Sequence, residues 1–160
     1  MKHVLFRLFT ELSSSRLLST LTGAFAKSRI SKLFIPAFAS IYKINIAEAE
    51  FSPTEYPSLN AFFTRKLKPG SRIIDSRNQS LVSPVDARIT AIGKISEAKE
   101  LLVKGQLYTP LEILGNYQQK QIADYTHFAV LYLSPTDYHR IHAPINGKWK
   151  GKQHVAGSVY

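Results

Sequence analysis

The sequence predicts an α+β fold, with amphipathic helices ahead of a β-rich body. Three observations carry this expectation. Apolar residues recur at helical spacing through the first 46 residues; from Leu81 onward, short runs rich in β-formers follow one another; and the two textures are segregated along the chain instead of alternating. At 160 residues, 44% of them hydrophobic and 20% charged, the chain can bury one ordinary core and is unlike a disordered segment.

The helical region begins with Leu5, Leu8, Phe9 and Leu12 on one face. Leu17, Leu18, Leu21 and Phe25 continue the pattern. Ile30, Leu33, Phe34, Ala37, Phe38 and Ile41 repeat it, with Pro36 expected to kink or break the helix. The longest uncharged runs, Leu17–Ala26 and Leu33–Tyr42, are ten residues each. A spanning helix needs roughly 20 apolar residues, so none is expected. Arg7 interrupts what would be the apolar core of a secretory signal.

The chain carries a net charge of +10 with a pI near 9.9. This balance suggests a polyanionic partner. Residues 1–46 hold seven basic residues and one acid, Glu11, along with a high density of Leu, Ile and Phe. Nucleic-acid arms are usually basic without that apolar load, whereas basic-plus-apolar segments are typical of a membrane interface. We therefore expect residues 1–46 to be a helical membrane-associating region facing anionic lipid, with no nucleic-acid partner. The plainer alternative, helices that cap the domain's own core, stays open.

Residues 47–160 form the second expected unit. Ser58 suits the N-cap of a short helix, Leu59-Asn60-Ala61-Phe62-Phe63. Lys66 to Arg72 is a basic loop punctuated by Pro69-Gly70, either solvated or phosphate-contacting. Leu81–Asp86 leads into a strand over Arg88–Gly93, and Leu101–Gly105 suggests another. Thr109, Pro110 and Gly115 read as the N-cap, N1 and stop of a helix. Residues 127–133 read as a buried strand, followed by a Ser134-Pro135-Thr136-Asp137 turn, and Asn146-Gly147 marks a further turn.

Two of the five histidines, His139 and His142, follow the Ser-Pro-Thr-Asp turn directly. They can be polar residues of a surface turn, metal ligands, or general acid/base groups whose ordinary pKa near 6.5 suits proton transfer at neutral pH. With no cysteine and no obvious further ligands, a metal pair is the weakest of the three. Asp86 is either a turn former that bonds its own backbone or a carboxylate that orients a histidine and stabilises its imidazolium. The absence of cysteine removes disulfides, thiolate metal sites and a cysteine nucleophile. No Gly-x-Ser-x-Gly elbow, dinucleotide fingerprint or P-loop is present.

The segment Leu133-Ser134-Pro135-Thr136-Asp137-Tyr138-His139-Arg140-Ile141-His142-Ala143-Pro144 resembles the hallmark of phosphatidylserine decarboxylase proenzymes. Ser83-Pro84-Val85-Asp86 is similar to that family's Pro-x-Asp-Gly segment, and Leu59–Leu67 to its Phe-Phe-x-Arg-x-Leu segment. The resemblance implies a proenzyme that cuts itself at a Gly-Ser bond, usually within Gly-Ser-Thr, and converts the new N-terminal serine into a pyruvoyl group. That ketone condenses with the amine of phosphatidylserine and serves as the electron sink for loss of carbon dioxide, giving phosphatidylethanolamine. It also implies that Asp86 and His142 are the carboxylate and imidazole of a self-cleavage triad, with His139 a proton donor or substrate-positioning group in decarboxylation. The implied setting is the cytoplasmic face of the cell membrane, peripherally bound, in company with the small pyruvoyl-bearing chain of the same proenzyme; homo-oligomerisation is compatible with it.

The sequence departs from the family in two places. Ala87 stands where the family usually has Gly. Gly157-Ser158 is followed by Val159 and is not the cleavage motif, whose equivalent lies beyond residue 160. The expectation is thus an incomplete β-rich catalytic body that lacks the pyruvoyl-forming serine and is inactive alone. A non-catalytic peripheral membrane protein built on the same scaffold is the alternative.

Overall fold

The structure, a computed structural model, describes residues 16–77, 79–95, 101–103, 106–114, 126–152 and 154. The helical pattern expected over residues 3–12 and the Gly157-Ser158 pair lie outside these residues. The described chain is mixed α+β, as the sequence predicts: helices come first and short antiparallel strands follow.

Helix α1 spans Arg16–Lys27, with Lys27 in its last turn, where a cation offsets the exposed carbonyls. A 3-10 turn over Ile30–Phe34 leads into α2, Ile35–Ile41. Pro36 therefore sits in the first turn of α2, where its missing N–H costs nothing, and it starts a helix instead of kinking one. Helix α2 ends at Ile41, and Lys43 just past it turns left-handed with φ 51°; the Lys43 N–H bonds Ser40 O at 3.2 Å and the Ile44 N–H bonds Ala39 O at 2.9 Å. A 3-10 turn over Ile46–Glu48 is capped by the Asn45 side chain, which accepts from Ala47 N–H at 3.2 Å. Helix α3, Leu59–Phe63, is capped by Ser58, which accepts from Ala61 N–H at 3.2 Å.

These short helices are held by a shared core, because none is long enough to be stable alone. Ile35, Ala39, Ile44, Tyr56 and Phe62 are buried together, with Phe38, Tyr42, Leu59 and Ala61 packed around them. Aromatic rings meet edge-on within it, Tyr56 and Phe62 at 5.4 Å and Phe38 and Phe63 at 6.1 Å between centroids. The fully buried Ser31 hydroxyl joins three chain segments. It donates toward Ser28 O (2.7 Å) and Ala26 O (2.9 Å) and accepts from the Leu59 N–H (2.9 Å), so one side chain ties the end of α1 to the start of α3.

Strand β1, Arg88–Lys94, pairs antiparallel with β4, His127–Tyr132, with an irregularity between Ile89 and Ala91. A separate hairpin pairs β2, Leu101–Val103, with β3, Gln106–Tyr108; the sequence suggests the first of these and not the second. Helix α4, Pro110–Leu114, begins with a reciprocal cap: Glu112 N–H donates to Thr109 Oγ1 at 3.2 Å, and Thr109 N–H to Glu112 Oε2 at 2.6 Å. After the His segment the chain bends at Pro144–Ile145; Asn146-Gly147, expected to form a turn, lies just past that bend and forms none, with no positive φ at Gly147.

Candidate active site

Three long-range contacts fasten the His segment to the helical layer. Thr136 Oγ1 donates to Tyr42 O at 2.8 Å, Arg140 Nε donates to Thr64 O at 2.8 Å, and the His139 ring lies on Phe63 with centroids 3.9 Å apart. The preceding turn is closed locally. Asp137 Oδ2 accepts from Ser134 N–H at 2.6 Å, and Asp137 N–H donates to Ser134 O at 2.9 Å, so Ser-Pro-Thr-Asp turns as its composition predicts.

Two backbone hydrogen bonds then lace this segment to the one bearing Asp86: His142 N–H to Pro84 O at 2.8 Å and Val82 N–H to Pro144 O at 3.0 Å. Asp86 and His142, 56 positions apart in the chain, thereby reach the wall of one open cavity of about 700 Å³. Tyr138, Arg72, Arg140 and Lys66 also line it. Asp86 in addition borders a second opening, of about 650 Å³, shared with Asp137.

The two candidate groups have separate partners. His142 Nε2 lies 3.0 Å from the Tyr138 hydroxyl, and the rings stack at 5.5 Å with 22° between planes. Tyr138 is buried and supplies a fixed platform for an exposed imidazole. The Asp86 carboxylate is held by Arg72, whose Nε donates to Oδ1 at 3.1 Å and Oδ2 at 2.9 Å, and whose Nη2 reaches Oδ2. Arg72 Nη2 also pairs with Glu48 Oε2 at 3.0 Å. Hydrogen bonds to these two carboxylates raise the Arg72 pKa further above its ordinary value. His139 is off the wall of the cavity. Its Nδ1 lies 2.9 Å from Asp137 O and its ring packs on Phe63.

Sequence reasoning missed Arg72, Tyr138 and Arg65 as site residues. Arg65 is only 4% exposed, and its Nε and Nη1 have no hydrogen-bond partner among the described residues. Its guanidinium lies 5.4 Å from the Phe62 ring centroid, and burial pushes its pKa below the ordinary value. Among the described residues no group of three or more His, Asp or Glu side chains could hold a metal ion, and no helix is long and apolar enough to cross a membrane.

The cavity wall thus carries a carboxylate, an imidazole and several cationic side chains. Residues 59–160 match the family model described as phosphatidylserine decarboxylase. A protein from Geobacillus kaustophilus, named phosphatidylserine decarboxylase proenzyme, is 46% identical over 147 residues, covering 92% of this chain and 56% of the relative. Proteins of the same name from Anoxybacillus flavithermus and Bacillus thuringiensis are 44% and 42% identical over 98% and 92% of this chain, and over 59% and 56% of their own length. The chain belongs to the phosphatidylserine decarboxylase family. It spans somewhat more than half the length of these relatives.

Proposed function

We propose that this chain is the Asp- and His-bearing part of a self-processing, pyruvoyl-dependent phosphatidylserine decarboxylase that works on the cytoplasmic surface of a membrane. The observation that carries this reading is the convergence of Asp86 and His142 on one cavity whose wall also presents Lys66 and Arg140. No hydrogen bond among the described residues occupies the Lys66 ammonium, and Arg140 uses only its Nε on Thr64. Those unspent cations suit the phosphodiester of a lipid headgroup.

In this reading His142 takes the proton of a serine hydroxyl at the Gly-Ser bond, and Asp86 supports the imidazolium that forms. Tyr138 holds the ring in place. The pyruvoyl group would come from a Gly-Ser-Thr segment that residues 1–160 do not contain. The residues present fit such a group: the cavity is open, and its wall carries an imidazole, His142, and the cations Lys66, Arg72 and Arg140. When bound, the group supplies the sink for the electron pair released with carbon dioxide. His142 and the cationic rim would orient the lipid, and His139 would steady the segment through Phe63.

The exposed apolar stripe of α1 supports the membrane setting. Leu17, Leu21 and Phe25 recur at i, i+4, i+8 and are 70%, 57% and 43% exposed. Ile30, Leu33 and Ile41 are also largely exposed. In the full-length protein, Leu17→Glu with Leu21→Glu is expected to weaken binding to phosphatidylserine-containing vesicles by at least about tenfold, since each buried Leu contributes roughly 1.5–3 kcal/mol. Unchanged vesicle binding would remove α1 from the membrane-facing surface.

The direct test is the intact mass of the full-length product purified from its own membrane, followed by incubation with phosphatidylserine. Two chains, the smaller with a blocked amine, together with release of carbon dioxide and phosphatidylethanolamine, are expected. A single uncut, inactive chain that still binds vesicles would favour the non-catalytic membrane protein instead.

A further inference from the structure

We infer that Arg72 is a positioning residue: it fixes the aim of the Asp86 carboxylate on the cavity wall that His142 also lines, and ties that aim to the helical layer through Glu48. The inference rests on the reading of Asp86 as part of the self-cleavage centre.

All three guanidinium nitrogens of Arg72 are engaged. Nη1 donates to Ser71 O at 2.6 Å, Nη2 to Glu48 Oε2 at 3.0 Å, and the Nε–Nη2 edge grips both oxygens of Asp86. A planar fork on a carboxylate fixes its rotation as a point charge cannot. The grip is also one-sided. Oδ2 takes two contacts and Oδ1 one, the longest of the set at 3.1 Å, so Oδ1 keeps a lone pair for an imidazole N–H.

The anchor behind Arg72 is built on backbone. Glu48 ends the 3-10 turn Ile46–Glu48, and its carbonyl accepts from Lys68 N–H at 2.8 Å, while Glu50 N–H donates to Lys66 O at 2.9 Å. The strip 48–50 and the strip 66–68 are thus paired, and Arg72 leaves the end of that pairing to reach Asp86. Arg72 thereby joins two carboxylates, Glu48 and Asp86, in one cluster.

Stability alone does not account for the cluster. The Arg72 and Asp86 side chains are 42% and 29% exposed, and ion pairs that wet contribute little to folding. Without its fork, Asp86 would stand between two openings with no other side chain among the described residues to hold its rotation.

The test follows self-cleavage over time in the full-length protein carrying Arg72→Ala, Arg72→Lys or Asp86→Asn, with thermal melting recorded for each. Arg72→Ala is expected to slow cleavage about 10- to 100-fold, the range that misplacing a reacting group costs. Arg72→Lys should fall between Arg72→Ala and the parent. Guanidinium ion at millimolar, non-denaturing concentration should restore part of the Arg72→Ala loss, and sodium chloride at equal strength should not. Cleavage at the parent rate, or faster, in Arg72→Ala while Asp86→Asn is blocked would overturn the positioning role. So would a loss that guanidinium leaves untouched and that tracks a fall in melting temperature across both Arg72 variants. Normal cleavage in Asp86→Asn would instead sink the underlying reading of Asp86.

Discussion

Asp86→Asn and His142→Ala, each made in the full-length protein, are expected to stop self-cleavage, slowing it by about a thousandfold or more. The two substitutions remove different things. His142→Ala deletes the group that accepts the serine proton, while its backbone N–H can still bond Pro84 O, so the cavity wall keeps its shape. Asp86→Asn keeps the side chain's size and loses the charge that Arg72 and an imidazolium both need. Because the two groups act as a unit, the double substitution should cost little more than either alone. Gel or mass analysis of the uncut proenzyme over hours checks this. Normal processing in either variant would remove that residue from the centre.

The second large effect lies in the helical layer. Phe62 is fully buried, meets Tyr56 edge-on and lies under the Arg65 guanidinium. Phe62→Ala deletes a ring where α2, α3 and the loop bearing Tyr56 converge. Such a truncation costs about 3–5 kcal/mol, from lost burial and the cavity left behind. Arg65 would lose its ring partner as well, leaving an unpaired cation over a void. Neighbouring Phe63 carries His139, so loosening α3 should loosen the His segment too. Denaturant unfolding measures the cost; a loss under about 1 kcal/mol would mean that the ring is replaceable and the core lies elsewhere.

Local chemistry made much of this architecture legible. The caps at Ser58 and Thr109 and the turn closed by Asp137 depend on neighbours within a few residues, and the sequence displays those neighbours. The strand at 127–132 is legible from its β-formers, but its partner Arg88–Lys94 is distant, and it is exposed to half-buried where the sequence suggests burial. Pro36 was legible as an irregularity but not as a start, because its effect depends on which side the helix lies. Asp86 and His142 stand out by motif, yet their partners do not. Arg72 lies 14 residues from Asp86, in a basic loop that composition assigns equally to solvent or phosphate, and only the 48–50 and 66–68 pairing turns it onto a carboxylate. Ser31 to Leu59, Arg140 to Thr64 and Thr136 to Tyr42 span 28, 76 and 94 positions. Serine, arginine and threonine at such positions are ordinary surface residues until packing gives them something to hold.

The two-stranded sheet has a consequence for how the protein is made. Among the described residues β1 and β4 pair only with each other, and Ile89, Ile92 and Tyr132 are 58%, 73% and 46% exposed. If the chain is the front of a longer proenzyme, this sheet can close on the ribosome as soon as β4 emerges, before any strand made later can cover its outer edges. At about 5–20 residues per second, each further hundred residues of synthesis leaves those edges open for roughly 5–20 seconds. During that interval a nascent chain can recruit a neighbour's strand or a holding chaperone, so yield should depend on elongation speed as much as on final stability.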